Sequence, residues 1–352
     1  MRASAGDCDM KRNCEIILFF IMVLYSGWSA YCLEPPQFAE LGDFKLESGS
    51  VIKGCRLAYR VLGTLNPDKS NVILVPTWFA GTSQELIGLG IIGPSKMIDT
   101  AKYYVITVDA IGNGVSSSPS NSTLQPDAAF PLFTNCDMVN AQYQLLTRSL
   151  HLEHIFAVIG ISMGGMQVFQ WLVSYPNFMD KAVSIVGAPW LTSYDLLVWT
   201  AEIRVINASK KCKAGNYEAM KAVTPIHLIH IWSPAYRAAK TPVDGFPKFL
   251  DDSEKSFSKY NATDWEWQLK AILKQDIKKD FGGSARKAAQ TVKAKTLVIT
   301  SGQDYAVYPG PAREFASLIK ADKAELAGDC GHFSFICESD KLKNLVNSFL
   351  DK

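Results

Sequence analysis

A serine set between glycines at a sharp change of chain direction constrains this sequence more than any other feature. Gly160-Ile161-Ser162-Met163-Gly164-Gly165 follows the apolar run Ile155-Phe156-Ala157-Val158-Ile159 and precedes a segment whose large apolar residues, Met166, Phe169 and Trp171 to Val173, recur at helical spacing. Strand, tight turn and helix in that order hold a serine hydroxyl exposed at the end of a sheet. Side chains at Gly160 or Gly164 would clash with the neighbouring strand or helix in so tight a bend. The same turn brings the N–H groups of a helix N-terminus beside the serine, where a developing oxyanion can be bound. A G-x-S-x-G string arises by chance in about one chain of this length in ten, so its meaning comes from the strand before it, the helix after it and suitable partners downstream.

The other apolar runs fix the fold class. Val72-Ile73-Leu74-Val75, Tyr104-Val105-Ile106-Thr107-Val108, Ala182-Val183-Ser184-Ile185-Val186 and Thr296-Leu297-Val298-Ile299-Thr300 are continuous rather than alternating. Strands of that kind, separated by helical patterns, predict an α/β fold with a mostly parallel central sheet covered on both faces. By contrast, Phe44 to Gly49 and Cys55 to Val61 alternate apolar and polar residues and read as a half-exposed antiparallel hairpin. One crossover helix is expected from about Asp137 to Leu150, with Val139, Leu145, Leu146 and Leu150 inward. A terminal helix buries Leu342, Leu345, Val346, Phe349 and Leu350. From about Trp190 to Gln290 the strand signal disappears, and this helical stretch reads as an inserted lid. Its tryptophans, Trp199, Trp232, Trp265 and Trp267, either form the lid's own core, the commoner fate, or line an acyl pocket. The organisation is therefore a leader at 1–32, a core at 33–190, a helical lid at 191–290 and the rest of the core at 291–352.

With 352 residues, 48% hydrophobic and 20% charged, the chain is long enough to bury a sizeable core, and its formal charge of +2 selects no partner. No basic face with interleaved aromatics supports nucleic-acid binding. At the N-terminus, Lys11 and Arg12 precede an apolar run from Ile16 to Tyr25 and then small residues, Ser26, Gly27, Ser29 and Ala30. That layout is a secretory signal, too short for a spanning helix, although Trp28 and Tyr31 blur the cleavage site and leave an uncleaved anchor as the alternative. Membrane contact is expected only if the leader is retained. Three sequons, at Asn121, Asn207 and Asn261, agree with a secreted or lumenal address. Removal of a leader carrying Cys8 and Cys14 leaves six cysteines, of which Cys330 and Cys337 are the favoured pair, closing a short loop around His332. No spacing resembles a zinc site, and no metal or cofactor is implied. The sequence sets no oligomeric state.

A serine hydroxyl needs a base, and the base an orienting carboxylate. In sheets of this kind the order along the chain is Ser, then Asp or Glu, then His. His151 and His154 flank the serine's strand and are expected at the surface. His227 and His230 fall in an apolar stretch of the lid and are expected as packing or pocket residues. His332 follows Gly331 in a loop between the last short strand and the terminal helix, where the base belongs. Asp304 lies beyond the strand ending at Thr300, in a loop at the carboxyl end of the sheet. Its rival, Asp329, is too close to His332 in sequence to reach the far ring nitrogen readily. For the oxyanion, the backbone N–H of Met163 and that of Trp78 or Phe79, in the loop after Val75, are the candidates.

These features resemble the α/β-hydrolase superfamily, and more closely the homoserine O-acetyltransferases and their relatives. The likeness rests on Leu46-Glu47-Ser48-Gly49 with Ala58-Tyr59-Arg60, Ser162-Met163-Gly164-Gly165-Met166-Gln167, Gly187-Ala188-Pro189, and the loops holding Asp304 and His332. It implies Ser162 as acyl carrier with Asp304 and His332 as partners. Two departures concern substrate. The family's typical aspartate after the histidine is here Phe333, and the lid stretch Thr224 to His230 lacks the arginine used for a substrate carboxylate. Apolar replacements bind a zwitterionic acceptor poorly. The first expectation is thus a secreted serine hydrolase acting on a small-molecule acyl ester. The alternatives are an acyltransferase passing the acyl group to an alcohol or amine, and a binding protein on a hydrolase scaffold.

Overall fold

The computed structural model describes residues 34–352, so the apolar run of the leader and Cys8, Cys14 and Cys32 lie outside the described residues. Strands β1 (Gln37–Lys45), β2 (Val51–Leu62), β3 (Val72–Pro76), β6 (Tyr104–Val108), β7 (Ile155–Ile161), β8 (Met179–Ile185), β9 (Lys295–Ser301) and β10 (Asp322–Leu326) form one sheet in the order β1-β2-β6-β3-β7-β8-β9-β10, with a short pair, β4 (Ile92–Gly93) and β5 (Ile98–Asp99), beside it. Pairing is antiparallel for β1 with β2 and β2 with β6, and parallel from β6 through to β10. Every residue of β3 is buried, which is why it reads as an unbroken apolar run. Successive residues face opposite sides. Val72 and Leu74 join the elbow-helix side with Met166 and Phe169, while Ile73 and Val75 join Leu342, Val346 and Phe349 of the terminal helix Ser339–Leu350.

The structure shifts two sequence expectations. The first hairpin forms, but its first strand ends at Lys45, and residues 46–49 belong to the turn instead. There Gly49 has φ +84°, and its N–H donates to the Leu46 carbonyl at 2.9 Å. Alternation alone cannot separate a strand end from a turn whose apolar residue, Leu46, is buried beneath it. The crossover helix runs over Asn135–Gln144 and closes with a π-turn at Leu145–Ser149, where the Leu150 N–H reaches the Leu145 carbonyl at 3.0 Å.

The elbow is built by backbone packing. A Cβ on Gly160 would stand 2.2 Å from the Gly164 carbonyl oxygen, and one on Gly164 would stand 2.6 Å from the Pro76 oxygen of β3. Between β8 and β9 the chain is helical: Ser193–Lys211, Asn216–Ile231, Pro234–Lys240, Phe246–Phe257, Ala262–Ile272 and Ala285–Thr291. A capping box of Thr192 with Asp195 starts the first of these helices, and Asn261 caps the fifth. No helix among the described residues is long and apolar enough to cross a membrane. Past β10, a disulfide joins Cys330 to Cys337 as the sequence suggested. Inside that segment the Gly331 carbonyl accepts from the hydroxyls of both Ser301 and Ser334, each at 2.8 Å.

Two substitutions measure these constraints. Gly160→Ala should destabilise the fold by roughly 3 kcal/mol or more through a forced overlap with backbone. Gly88→Ala, which meets nothing within 4 Å, should be neutral in the same thermal melts. The double change Cys330→Ser with Cys337→Ser should cost about 2.5 kcal/mol from the loss of a short covalent loop, read in urea denaturation.

Candidate active site

Ser162 sits where β7 turns into the helix Met163–Ser174, with φ 57° and ψ −121°. Its N–H donates to the Ile185 carbonyl of β8 at 2.9 Å and its carbonyl closes the first helical turn onto the Met166 N–H. The hydroxyl is thereby presented away from the helix. His332 Nε2 lies 2.8 Å from Ser162 Oγ, and His332 Nδ1 lies 2.7 Å from Asp304 Oδ2. Asp304 stands beyond β9, and its Oδ1 accepts the N–H groups of Ala306 and Val307 at 2.9 and 2.8 Å. With one oxygen held by backbone, only the other is directed at the imidazole. A carboxylate accepts but does not donate, so Nδ1 carries the ring proton and Nε2 faces the hydroxyl with a lone pair. Asp329 is exposed and contributes its backbone carbonyl to Ser233 instead. The structure thus brings together Ser162, Asp304 and His332 and leaves the rival carboxylate outside.

The loop after β3 is pinned from several sides. Thr77 N–H donates to the Val108 carbonyl, Thr77 Oγ1 accepts from the Ala110 N–H, and the Thr77 carbonyl accepts from Gln167 Nε2 at 3.2 Å. Ala80 N–H donates to Gln268 Oε1 at 2.7 Å. Among the described residues, the N–H groups of Trp78, Phe79 and Met163 have no protein acceptor. These donors are therefore free to serve a ligand.

Ser162 and His332 open into a cavity of ≈ 370 Å³ between the sheet and the inserted helices. Of the four tryptophans, Trp199, Trp232 and Trp265 line it. Trp267 does not, and its Nε1–H is bound to the Phe130 carbonyl at 2.9 Å. The pocket reading, less favoured from sequence, therefore holds for three of them. Phe333 packs on Trp232 with ring centres 4.8 Å apart. The stretch from Thr224 to His230 holds no arginine, but the next helix supplies one: Arg237 lines the cavity, its guanidinium 4.1 Å from the centre of the Phe249 ring. Burial pushes the Arg237 pKa below its ordinary value.

His151 and His154 are exposed, as expected. His227 and His230 are buried and converge on Glu202, a contact that the sequence reading missed. Glu202 Oε1 accepts from His227 Nδ1 at 3.0 Å and from His230 Nε2 at 2.7 Å, while Oε2 accepts from Trp265 Nε1 at 2.9 Å. Burial alone would raise the Glu202 pKa, but the two imidazoles overturn this and bring it down to about 2. His230 is pushed down by burial, against the pull of Glu202. These three residues have the donor atoms of a metal site, all within 4.8 Å of one another. Spacing hinted at the pair, since residues three apart on a helix share a face. Nothing in the sequence marked Glu202 as their partner.

The sequons differ in their surroundings. Asn121 Nδ2 donates to the carbonyls of Ser116 and Gly114 at 2.9 and 3.1 Å. Asn261 uses only its oxygen, accepting the N–H groups of Thr263 and Asp264. Asn207 is half-buried on the helix Ser193–Lys211. Cys55 and Cys136 are buried free thiols and Cys212 is exposed.

Comparison with known proteins agrees with this architecture. The sequence profile of the α/β-hydrolase fold matches residues 72–339. An ethyl acetate hydrolase of Pseudomonas veronii is 34% identical over 290 residues, covering 77% of this chain and 81% of that protein. A homoserine O-acetyltransferase of Methanohalobium evestigatum is 32% identical, over 88% of this chain and 71% of that protein. The solved structure of the acetyl esterase MekB superposes with a TM-score of 0.83 at 28% identity, covering 90% of this chain and 96% of that one. The likeness to these enzymes extends across most of the chain's length, and the chain belongs to the α/β-hydrolase fold family, within its homoserine O-acetyltransferase-like group.

Proposed function

We propose that this chain is a secreted serine esterase that works through an acyl-enzyme on Ser162. The observation that carries the reading is the unbroken hydrogen-bonded path from Ser162 Oγ through His332 to Asp304, opening into a mostly apolar cavity. Ser162 Oγ attacks the ester carbonyl carbon while His332 Nε2 takes its proton. Asp304 keeps the imidazole in the required tautomer and stabilises the imidazolium. The carbonyl oxygen gathers negative charge against the N–H of Met163 and that of Trp78 or Phe79. Donors of this kind are worth about 10²–10³ in rate each. The tetrahedral adduct collapses, the leaving alkoxide takes the proton from Nε2–H, and an alcohol departs. Water then attacks the acyl group, gives a proton to Nε2, and the acid is released as Ser162 recovers its hydrogen.

Transfer to an alcohol or amine uses the same acyl-enzyme, and the likeness to a homoserine O-acetyltransferase favours it. Hydrolysis is preferred because the wall beside His332 is apolar. Phe333 stands where the family resemblance implies an aspartate that holds an amino group, and it packs on Trp232. The leader at 1–32 supports secretion or, if retained, a membrane anchor. A disulfide between Cys330 and Cys337 agrees with an oxidising compartment, as do two sequons, at Asn207 and Asn261, whose side-chain nitrogens make no hydrogen bond among the described residues. Outside the cell, acyl-coenzyme A is absent, which leaves esters as the natural acyl source.

Fluorophosphonate labelling of the secreted protein should mark Ser162 and vanish in Ser162→Ala. Asp304→Asn should lower kcat on 4-nitrophenyl acetate about 10⁴-fold by releasing the wrong tautomer. Product formed from that ester only when an alcohol acceptor is added would replace hydrolysis with transfer. Glycan mapping by mass spectrometry should find Asn207 and Asn261 occupied and Asn121 bare, because a sugar on Asn121 Nδ2 would remove one of two hydrogens already donated to carbonyls.

A further inference from the structure

One polar side chain on the cavity wall has more support behind it than packing requires. His227 lines the same cavity as Ser162. Its Nδ1 is held at 3.0 Å by Glu202, which is fully buried and receives two further donors from His230 and Trp265. The imidazole is wedged edge-on between Trp265 and Phe257, with ring centres at 5.0 and 5.4 Å. Phe79, from the loop beside the elbow, lies 6.1 Å from it. Burying a carboxylate costs several kcal/mol unless its partners are well placed. A pair of apolar residues would fill the same space at no such cost. The arrangement resembles the support given to His332 by Asp304.

A carboxylate only accepts, so Nδ1 of His227 carries a hydrogen and its Nε2 is turned to other partners. Among the described residues Nε2 has none, the His227 side chain keeps 11% of its surface exposed, and the residue lines the cavity. Metal binding explains the cluster less well. Glu202 Oε1 is 2.7 and 3.0 Å from the two ring nitrogens. Two ligands of one tetrahedral zinc stand about 3.3 Å apart, given bonds of about 2.0–2.1 Å. These are direct hydrogen bonds between the groups themselves. A hydroxyl is the complementary ligand: it donates to an Nε2 lone pair and accepts from an Nε2–H. The charges on the same walls are mixed, Arg237, Lys240 and Lys259 with Glu85 and Asp252, and Lys259 is paired with Glu85 at 3.0 Å.

We propose that His227, oriented by Glu202, is a specificity-determining residue that selects esters carrying a free hydroxyl on the part of the molecule lodged in this cavity. This rests on Ser162 being the nucleophile. The test compares kcat/KM within two matched pairs: 4-nitrophenyl butyrate against 4-nitrophenyl 3-hydroxybutyrate, and butyl acetate against 4-hydroxybutyl acetate. The wild-type protein should prefer the hydroxylated member of at least one pair by about tenfold, the size of one net hydrogen bond. His227→Phe should bring that ratio close to one, and His227→Gln, whose amide can still accept and donate, should keep part of it. A wild-type ratio near one in both pairs overturns the proposal without any variant, as does an unchanged ratio in a folded His227→Phe protein. Fluorophosphonate labelling separates the two ideas. Labelled Ser162 with no hydroxyl preference defeats only the His227 assignment, whereas no labelling and no turnover of any ester defeats both.

Discussion

At the end of β7 the chain folds back on its own helix so closely that any side chain on Gly160 would meet the Gly164 carbonyl at 2.2 Å, and this contact dictates where Ser162 stands. The positive φ of Ser162 is costly for a residue with a Cβ, about 1–3 kcal/mol. What offsets it is local: the N–H bond to Ile185 of β8, the helical bond onto Met166, and the burial of Met163, Met166 and Phe169 against the sheet. Gly165 and Gly187 extend the close approach, since a Cβ on Gly187 would lie 2.6 Å from the Gly165 carbonyl carbon. Helix and sheet therefore hold the serine backbone in one position. The hydroxyl is fixed by the same packing that stabilises the core.

From this anchor the other groups reach the site along parallel strands, each of which ends on the same side. β3 leads into the loop with Trp78 and Phe79, β9 into Asp304, and β10 into His332. The inserted helices then act back on the core. Gln268, fully buried, accepts the Ala80 N–H and donates to the Ile111 carbonyl, tying the loop after β3 to the loop after β6. Asp264 accepts both the N–H and the hydroxyl of Ser120. Burial raises its pKa to about 6 in spite of those bonds. The roof of the cavity and the loop that presents the candidate oxyanion donors are thus one hydrogen-bonded assembly.

Much of this was legible in sequence because buried parallel strands write themselves as unbroken apolar runs, and because the glycines around Ser162 have no other use. Asp304 and His332 were legible by chain order and by their position after strands. The missed features share a physical origin: they depend on helix-to-helix register inside the insertion. Nothing local distinguishes Glu202 on the helix Ser193–Lys211, and only its crossing with Asn216–Ile231 and Ala262–Ile272 turns it inward onto two histidines and a tryptophan. Arg237 escaped notice for a similar reason. A turn at Ser233, whose hydroxyl caps the helix Pro234–Lys240, redirects the chain so that an arginine outside the apolar stretch reaches the cavity. The hairpin's extent was misjudged because Leu46 is buried in a turn, where alternation continues without a strand.

In the proposed reaction, the choice between water and another acceptor is made after the acyl-enzyme forms, when the leaving group has vacated part of the cavity. An acceptor competes with water only if the wall holds it near His332, because effective concentration rather than nucleophilicity decides the partition. Beside His332 that wall is Phe333 and Trp232, which offer an amino acid no ion pair. The polar post at His227 is held by another part of the roof, against Phe257 and Trp265, and it is suited to grip the substrate rather than to bring up an acceptor. In the proposed reaction, an aromatic wall beside the imidazole gives a zwitterionic acceptor little to hold it against competition from water.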